Sequence, residues 1–317
     1  MNPGESATQN IVGPLTGSAI FLVVSVPALR REGAEAEIPS GVKDTITGIE
    51  DLVKTVGFRI PRAHLSCTVG IGADAWHALH PDGAPAQLHP FREIIGDKHA
   101  ARRTPGDLLF HIRADERDLA YEFERLLLAA LGDEVVVEDE VSGFRYFDSR
   151  DLLGFVDGTA NPLGADLPES ALIGDEDPEF AGGSYVVVQK YLHDLAAWGK
   201  LSVEDQEAVI GRTKSDNVEL PDAESGQQSH KTLATITDDQ GVEHDIVRDN
   251  MPFATPGAGI HGTYFIGYSR SLEVIERMLE RMFIGEPRGL HDRILDFSTA
   301  ATGSTYFVPT PGALAAL

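Results

Sequence analysis

The chain has 317 residues, 42% of them hydrophobic and 24% charged, which is the composition of a folded protein with one large domain or two ordinary ones. Its 26 basic and 50 acidic side chains leave a formal charge of −24, so we expect no binding to the phosphate backbone of nucleic acids. No apolar stretch reaches the ~20 residues of a membrane span, and the N-terminus lacks an export signal. We therefore expect a cytoplasmic protein without membrane partners.

The first half of the chain predicts four strands and two helices. The apolar, β-branched run from Gly17 to Pro27 is typical of a central strand, and the residues from 41 to 56 show helical periodicity. Further elements are predicted in this order: strands over 65–72 and 108–114, a helix over 116–131, and a strand over 134–141. The inward stripe of the second helix is predicted as Leu119, Phe123, Leu126, Leu127 and Ala130. The order β-α-β-β-α-β is that of a split βαβ unit.

The second half repeats this order with longer insertions. We predict a strand over 184–191, short helices near 193–198 and 203–210, a strand near 231–237, an extended piece over 245–253, a strand over 261–268, a helix capped by Ser271, and a last strand over 305–308. The fold class is therefore α+β, with two tandem ferredoxin-like units whose antiparallel sheets face each other. We place the units at residues 1–150 and 151–317.

The segment from Gly154 to Pro162 (GFVDGTANP) is the most unusual in the chain. Two glycines bracket Asp157, an arrangement that brings backbone close to a ligand and holds the carboxylate in a turn. An ordinary Asp-Gly turn is the alternative interpretation.

A second candidate cluster combines His230 with Arg248 and Asn250. A neutral imidazole can ligate iron or zinc, and an arginine nearby can stabilise an anionic oxygen. Arg248 and Asn250 are two residues apart, so an extended strand would place both side chains on one face. The apolar neighbours Ile246 and Met251 favour a pocket wall over a solvated face. A surface or core role for His230 is the alternative.

Asp292 lies in a third segment, Gly289 to Ser298. Its carboxylate can orient an imidazole by accepting the second ring N–H, or it can simply cap a short helix. We expect no chemistry from three other features: Cys67 is predicted to be an inert core thiol, the run 175–179 a solvated acidic loop, and His77 with His80 no metal site.

Taken together, these segments resemble the dye-decolourising peroxidases, and most closely their B class. The resemblance spans residues 18 to 309 and rests on motifs that keep their order: Gly154 to Gly158 as Gly-x-x-Asp-Gly with the following Thr-Ala-Asn-Pro, Ser184 to Tyr191, Ser229-His230, Arg248-x-Asn250-Met251-Pro252, Phe265 to Tyr268, and Leu295 to Ser304.

The resemblance implies one haem b per chain, held mostly by the second unit. His230 then corresponds to the axial iron ligand and Asp292 to the acid that hydrogen-bonds it. Asp157, Arg248 and Asn250 correspond to the catalytic residues on the peroxide side. Gly158, Thr159 and Phe265 should lie against the haem. We expect Arg248 to pair with Asp157 and favour its ionised form.

The implied activity is the oxidation of dyes, phenols or other small donors by hydrogen peroxide, through a ferryl haem. The resemblance also implies a homo-oligomer, of which a hexamer is one form. Nanocompartment cargo of this family carries a C-terminal extension, which is lacking after Leu317, so we do not expect encapsulation.

A haem carrier, a related enzyme of haem metabolism or chlorite decomposition, and a structural protein without haem are the alternatives. The tyrosine or tryptophan that passes electrons to the surface stays open among Tyr146, Tyr185, Tyr191, Trp198 and Tyr264.

Overall fold

The computed structural model describes residues 8–30 and 36–317 and folds the first half of the chain around a four-stranded antiparallel sheet. Its elements are β1 (Ser18–Ser25), α1 (Ser40–Thr47), α2 (Ile49–Gly57), β2 (Ser66–Ile71), α3 (Ala73–Leu79), β3 (Ile94–Ile95), β4 (Ala100–Ala101), β5 (Leu108–Ala114), α4 (Arg117–Leu131) and β6 (Val136–Phe144). The strand order β2-β5-β1-β6 is that of a ferredoxin-like unit. The short strands β3 and β4 form a separate hairpin.

The second half forms a second sheet of the same kind. Its elements are α5 (Asp166–Ala171), β7 (Ser184–His193), α6 (Leu195–Trp198), α7 (Val203–Ile210), α8 (His230–Ala234), β8 (Ile236–Thr237), β9 (Glu243–His244), β10 (Val247–Arg248), β11 (Met251–Thr255), β12 (Ile260–Ser269), α9 (Leu272–Ile284), β13 (Ser298–Ala300), β14 (Ser304–Val308) and α10 (Pro311–Ala315). The order is β14-β7-β12, with β10 and β11 both paired to the far side of β12. The predicted tandem of α+β ferredoxin-like units is confirmed.

The two sheets face each other across a core of side chains from both halves. The ring of Phe21 in β1 stacks on that of Tyr264 in β12 at 4.2 Å between centroids. His111 Nδ1 in β5 lies 2.8 Å from the hydroxyl of Tyr268 in β12. The sheets also meet at one edge, where β14 pairs with β2. The helices cover the outer faces, and none in the described ranges is long and apolar enough to cross a membrane.

Several local predictions were wrong. The helix predicted over 41–56 is broken at Gly48 into α1 and α2. Ala130 on α4 is exposed. The predicted strand near 231–237 is mostly the short helix α8, which begins at His230, because the Ser229 side chain caps its first turn. Ser271 occupies the N-cap position of α9 as predicted, but its hydroxyl bonds to Gln87 rather than to the helix backbone.

Candidate active site

A cavity of about 250 Å³ lies between the second sheet and the helices α8 and α9. It is lined by His230 and by apolar side chains of α9 and the following segment: Val274, Met278, Leu279, Met282 and Ile294. The 151–160 loop and strands β10 and β12 also contribute to the lining. All the side chains singled out on sequence for direct contact line this cavity: Asp157, Gly158, Thr159, His230, Arg248, Asn250 and Phe265.

His230 is held by Asp292, which lies behind it. Nδ1 of His230 is 2.7 Å from Oδ2 of Asp292, and the Asp292 side chain is fully buried. Burial alone would lower the pKa of His230, but the charge and hydrogen bond of Asp292 outweigh this effect and raise it. Since the carboxylate accepts a hydrogen bond from Nδ1–H, the lone pair of Nε2 is left for the cavity.

Asp292 also fills the second role considered for it. Its Oδ1 accepts a hydrogen bond of 3.0 Å from the backbone N–H of Ile294 and caps the short 3-10 helix Arg293–Asp296. The backbone N–H of Asp292 donates to the carbonyl of Met282 at 2.8 Å. These bonds fix the carboxylate, and through it the imidazole plane of His230.

The other histidines that line the cavity already have partners. His193 makes two hydrogen bonds, from Nδ1 to Ser298 Oγ at 2.8 Å and from Nε2 to Thr263 Oγ1 at 2.9 Å. Burial lowers the pKa of His193 to about 4. His244 Nε2 lies 3.0 Å from Asp238. His244 is bonded through Nε2 alone, but its side chain is 43% exposed, against 28% for His230. Among the cavity-lining histidines of the described chain, His230 is therefore the less exposed one with a ring nitrogen that makes no hydrogen bond to the protein.

The polar groups of the 151–160 loop and strand β10 are linked by amide side chains. Asn250 Nδ2 donates to Asp157 Oδ1 at 3.3 Å, and Gly158 N donates to the same oxygen at 2.7 Å. Asn161 Nδ2 donates to the carbonyl of Arg248 at 2.6 Å, while the N–H of Arg248 donates to Asn161 Oδ1 at 3.0 Å. The loop that carries Asp157 and the strand that carries Arg248 are thus joined through Asn161.

The expected pair between Arg248 and Asp157 is not formed. In the part of the chain that the structure describes, Arg248 makes no ion pair, and its buried Nε has no hydrogen-bond partner. The carboxylate of Asp157 is occupied by Gly158 and Asn250 instead. The guanidinium charge therefore remains available to a ligand in the cavity.

The Gly-x-x-Asp-Gly turn depends on both glycines. Gly154 and Gly158 have φ values of 95° and 79°, in the left-handed region that side chains disfavour. Arg150 closes the turn by donating from Nη1 to the carbonyl of Gly154 at 2.8 Å. The turn aims Asp157 and the backbone of Gly158 into the cavity.

Two residues of this site were missed on sequence. Asn161 belongs to the quoted motif, but its contact with Arg248 crosses 87 residues of chain and has no local signal. Asp151 also lines the cavity, and burial, with a further contribution from the charge of Asp157, raises its pKa to about 7. Its position six residues before Asp157 is the only signal that the sequence offers. Of the tyrosines and tryptophan considered for electron transfer, Tyr191 lines the cavity.

The chain matches known proteins over nearly its whole length. Family models described as Dyp-type peroxidase, N-terminal and Dyp-type peroxidase, C-terminal match residues 8–145 and 148–313. The dye-decolorizing peroxidase of Mycobacterium tuberculosis (strain ATCC 25618 / H37Rv) is 54% identical over 302 residues, which are 95% of this chain and 88% of that protein.

Solved structures show the same similarity. DyPB from Rhodococcus jostii RHA1 superposes with a TM-score of 0.93 at 54% identity and 99% coverage of both chains. A variant of that protein in complex with heme gives a TM-score of 0.92 at 54% identity and 98% coverage of both chains. The encapsulated DyP-type peroxidase from Mycobacterium smegmatis gives a TM-score of 0.91 at 51% identity, covering 98% of this chain and 97% of that one.

Proposed function

The chain belongs to the Dyp-type peroxidase family, and on this basis we propose that His230 would ligate the iron of a haem b in the cavity, where Asp157, Arg248 and Asn250 would act on peroxide. The protein is a haem peroxidase that uses hydrogen peroxide to oxidise dyes and other small electron donors. The observation that supports the residue assignment is that His230, hydrogen-bonded to the buried Asp292, lines the same cavity as the three polar side chains.

The residues present fit a haem. An imidazole with a free Nε2 suits iron, and a carboxylate on Nδ1 strengthens the donation of electron density. Apolar side chains of α9 line the cavity together with His230, as a porphyrin face requires. Within the described residues the buried Nε of Arg248 has no hydrogen-bond partner, which is consistent with a ligand in the cavity.

The chain's own residues supply the acid–base and electrostatic parts of the reaction. When bound, the haem supplies the two electrons that reduce hydrogen peroxide to water and recovers them singly from donors. Asp157 takes a proton from one oxygen of peroxide and returns it to the other oxygen as that second oxygen leaves. Arg248 stabilises the negative charge that develops on the leaving oxygen, and Asn250 holds Asp157 by its Oδ1.

Replacement of His230 by Ala tests the assignment. We expect the variant to lose most of its haem, or to bind it with a changed ferric spectrum, and to lose peroxide-driven oxidation of a dye. His193→Ala is the matched control, because His193 lines the same cavity with both nitrogens already bonded. Full haem content with an unchanged spectrum and activity in His230→Ala would show that another residue ligates iron. A wild-type protein that binds haem but does not turn over peroxide would be a carrier.

We further propose that the protein is cytoplasmic and forms a homo-oligomer. Within each chain, we place the boundary between the two ferredoxin-like units near residue 150. Large apolar side chains on the surface support an interface: Phe147 is 72% exposed and Leu163 is 80% exposed. Light scattering at physiological salt should give a mass that is a multiple of the 34.2 kDa chain. A monomer throughout the micromolar range would contradict this proposal.

A further inference from the structure

Outside the cavity, His99, His291 and Asp296 form a second group of candidate ligands. One ring nitrogen of each histidine and one carboxylate oxygen lie within 4.8 Å of one another, and all three side chains are partly exposed. Within residues 8–30 and 36–317, no other group of three histidine, cysteine or acidic side chains meets the same test. None of the three lines the cavity that holds His230.

The two imidazoles are aimed at one point. Nε2 of His99 is 2.9 Å from Asp296 Oδ1, and Nε2 of His291 is 3.0 Å from the same oxygen. The two rings lie edge to face, with 4.8 Å between their centroids. The ammonium of Lys98 contacts this oxygen as well. Nitrogen atoms of Lys98, His99 and His291 therefore all contact Oδ1 of Asp296. This oxygen has only two lone pairs, so it has more nitrogen neighbours than lone pairs to share with them.

We propose that His99, His291 and Asp296 bind one Zn²⁺ ion, with water as the fourth ligand. Two imidazoles and one carboxylate are ligands that zinc accepts in an open tetrahedral site. In such a site, with metal–ligand bonds of about 2.0–2.1 Å, neighbouring ligand atoms lie about 3.3 Å apart. The observed nitrogen–oxygen separations of 2.9 and 3.0 Å need to widen by only a few tenths of an ångström.

The backbone around these side chains is fixed before any metal binds. His99 ends the turn of the β3–β4 hairpin, where its carbonyl accepts from the N–H of Gly96 at 3.0 Å. A Cβ at Gly96 would lie 2.0 Å from the carbonyl oxygen of Phe283, so the hairpin packs closely against the end of α9. His291 directly precedes Asp292, which caps the short helix Arg293–Asp296, and Asp296 is the last residue of that helix. A metal here would connect the two halves of the chain at fixed positions.

Lys98 is the competitor that the metal must displace. Its side chain is 58% exposed and can turn into solvent, whereas the histidines and the aspartate are only 19–23% exposed. If the cluster served only to form hydrogen bonds, Lys98 would stabilise it through its contact with Asp296. If the cluster binds a metal, Lys98 competes with the metal for Asp296 and weakens metal binding. These two alternatives predict opposite effects of removing Lys98.

The experiment uses the untagged holoenzyme after dialysis against a chelator. Zinc binding is followed by isothermal titration calorimetry, and the bound metal is examined by X-ray absorption at the zinc edge, where haem iron does not interfere. We expect one saturable site with two imidazoles among its ligands. His291→Gln, which keeps a hydrogen-bond donor near Asp296 but is a poor zinc ligand, should weaken binding at least tenfold. Lys98→Ala, which keeps all three ligands, should tighten it severalfold.

His64→Gln is the matched control, since His64 also pairs with a carboxylate, at 2.7 Å from Asp115, but belongs to no cluster. It should bind zinc as the wild type does. An unchanged haem spectrum and an unchanged melting temperature without zinc show that each variant is folded. The proposal is overturned if His291→Gln binds zinc as tightly as the wild type, if Lys98→Ala binds it more weakly, or if the absorption spectrum shows oxygen ligands alone. None of these outcomes depends on the peroxidase activity.

Discussion

The side-chain amide of Asn161 makes with Arg248 the two hydrogen bonds that a neighbouring β-strand would make. Nδ2 donates to the carbonyl of Arg248 at 2.6 Å, and Oδ1 accepts from its N–H at 3.0 Å. This contact holds the backbone of Arg248 where the strand ladder with β12 ends, since β10 contains only Val247 and Arg248. The position of the Arg248 guanidinium in the cavity therefore depends on Asn161, which lies three residues after the Gly-x-x-Asp-Gly motif.

Removal of this contact should slow the reaction with peroxide through Arg248. We expect Asn161→Ala to react about ten- to a hundredfold more slowly, because a displacement of the order of 1 Å at a catalytic group has costs of this size. The measurement is stopped-flow absorbance of the Soret band at equal haem loading. In an Arg248→Leu background, Asn161→Ala should have little further effect. Additive losses in the double variant would show that Asn161 acts independently of Arg248.

Asp292 combines an electrostatic role with a capping role, and two substitutions separate them. Asp292→Asn keeps an oxygen for the N–H of Ile294 but removes the charge beside His230, so the iron reduction potential should rise while the melting temperature falls only slightly. Asp292→Ala removes both the charge and the helix cap, so its free energy of unfolding should be about 1 kcal/mol lower than that of Asp292→Asn. Spectroelectrochemistry and thermal unfolding report the two effects. An unchanged potential in Asp292→Asn would mean that the carboxylate does not tune the iron.

Glu124 should make the protein less stable as the pH rises. It lies on α4, only 7% exposed, and its Oε1 has no partner in the described part of the chain. Burial, assisted by the charge of Glu140, raises its pKa from 4.5 to about 7. Between these two values the folded state holds a proton that the unfolded state has released, so stability declines as the pH rises through this range and stays lowered above it.

Glu124→Gln should therefore be more stable than the wild type at pH 8, by roughly 1–3 kcal/mol, with a smaller difference at pH 5. Melting temperatures of the holoenzyme at the two pH values test this. Glu122→Gln is the control on the same helix, because Glu122 is solvent-exposed and bonded to Arg125. If Glu124→Gln is the less stable protein at pH 8, the carboxylate has a stabilising partner after all.

The sequence predicted the regular elements well, because their periodicity records which face is buried. Strands β1 and β5 appear within a few residues of their predicted bounds, and helix α9 follows Ser271 as predicted. The segment after Ser229 was predicted wrongly because its β-branched residues favour a strand, whereas the cap and the packing of Leu233 favour a helix.

Periodicity could not predict which side chains far apart in the sequence form hydrogen bonds with each other. The ordered motifs bring Asp157, His230 and Arg248 to one cavity, but they do not say which atoms bond. The amides of Asn161 and Asn250 take the positions that we had expected an ion pair to fill. The contact of His99 with Asp296 spans 197 residues and has no counterpart in any local pattern.

Within the described residues, no carboxylate forms an ion pair with the guanidinium of Arg248, which lines the cavity. Its buried Nε has no partner in the described residues, whereas Oδ1 of Asp157 already accepts from Gly158 and Asn250. A fixed, permanently charged group aimed at developing negative charge is often worth ~3–4 kcal/mol, or a hundredfold or more in rate.

We therefore expect Arg248→Leu to slow the reaction with peroxide more than Asp157→Ala does at pH 7. The leucine variant should lose about a hundredfold or more, because the other arginine and lysine that line the cavity, Arg212 and Lys231, are already paired with Glu219 and Asp222. The alanine variant should lose less, because water can enter the space and carry the proton between the two peroxide oxygens. Stopped-flow traces at equal haem content give both rate constants directly. A slower Asp157→Ala variant would make the aspartate the main catalyst of proton transfer and would reduce Arg248 to an anchor for the bound ligand.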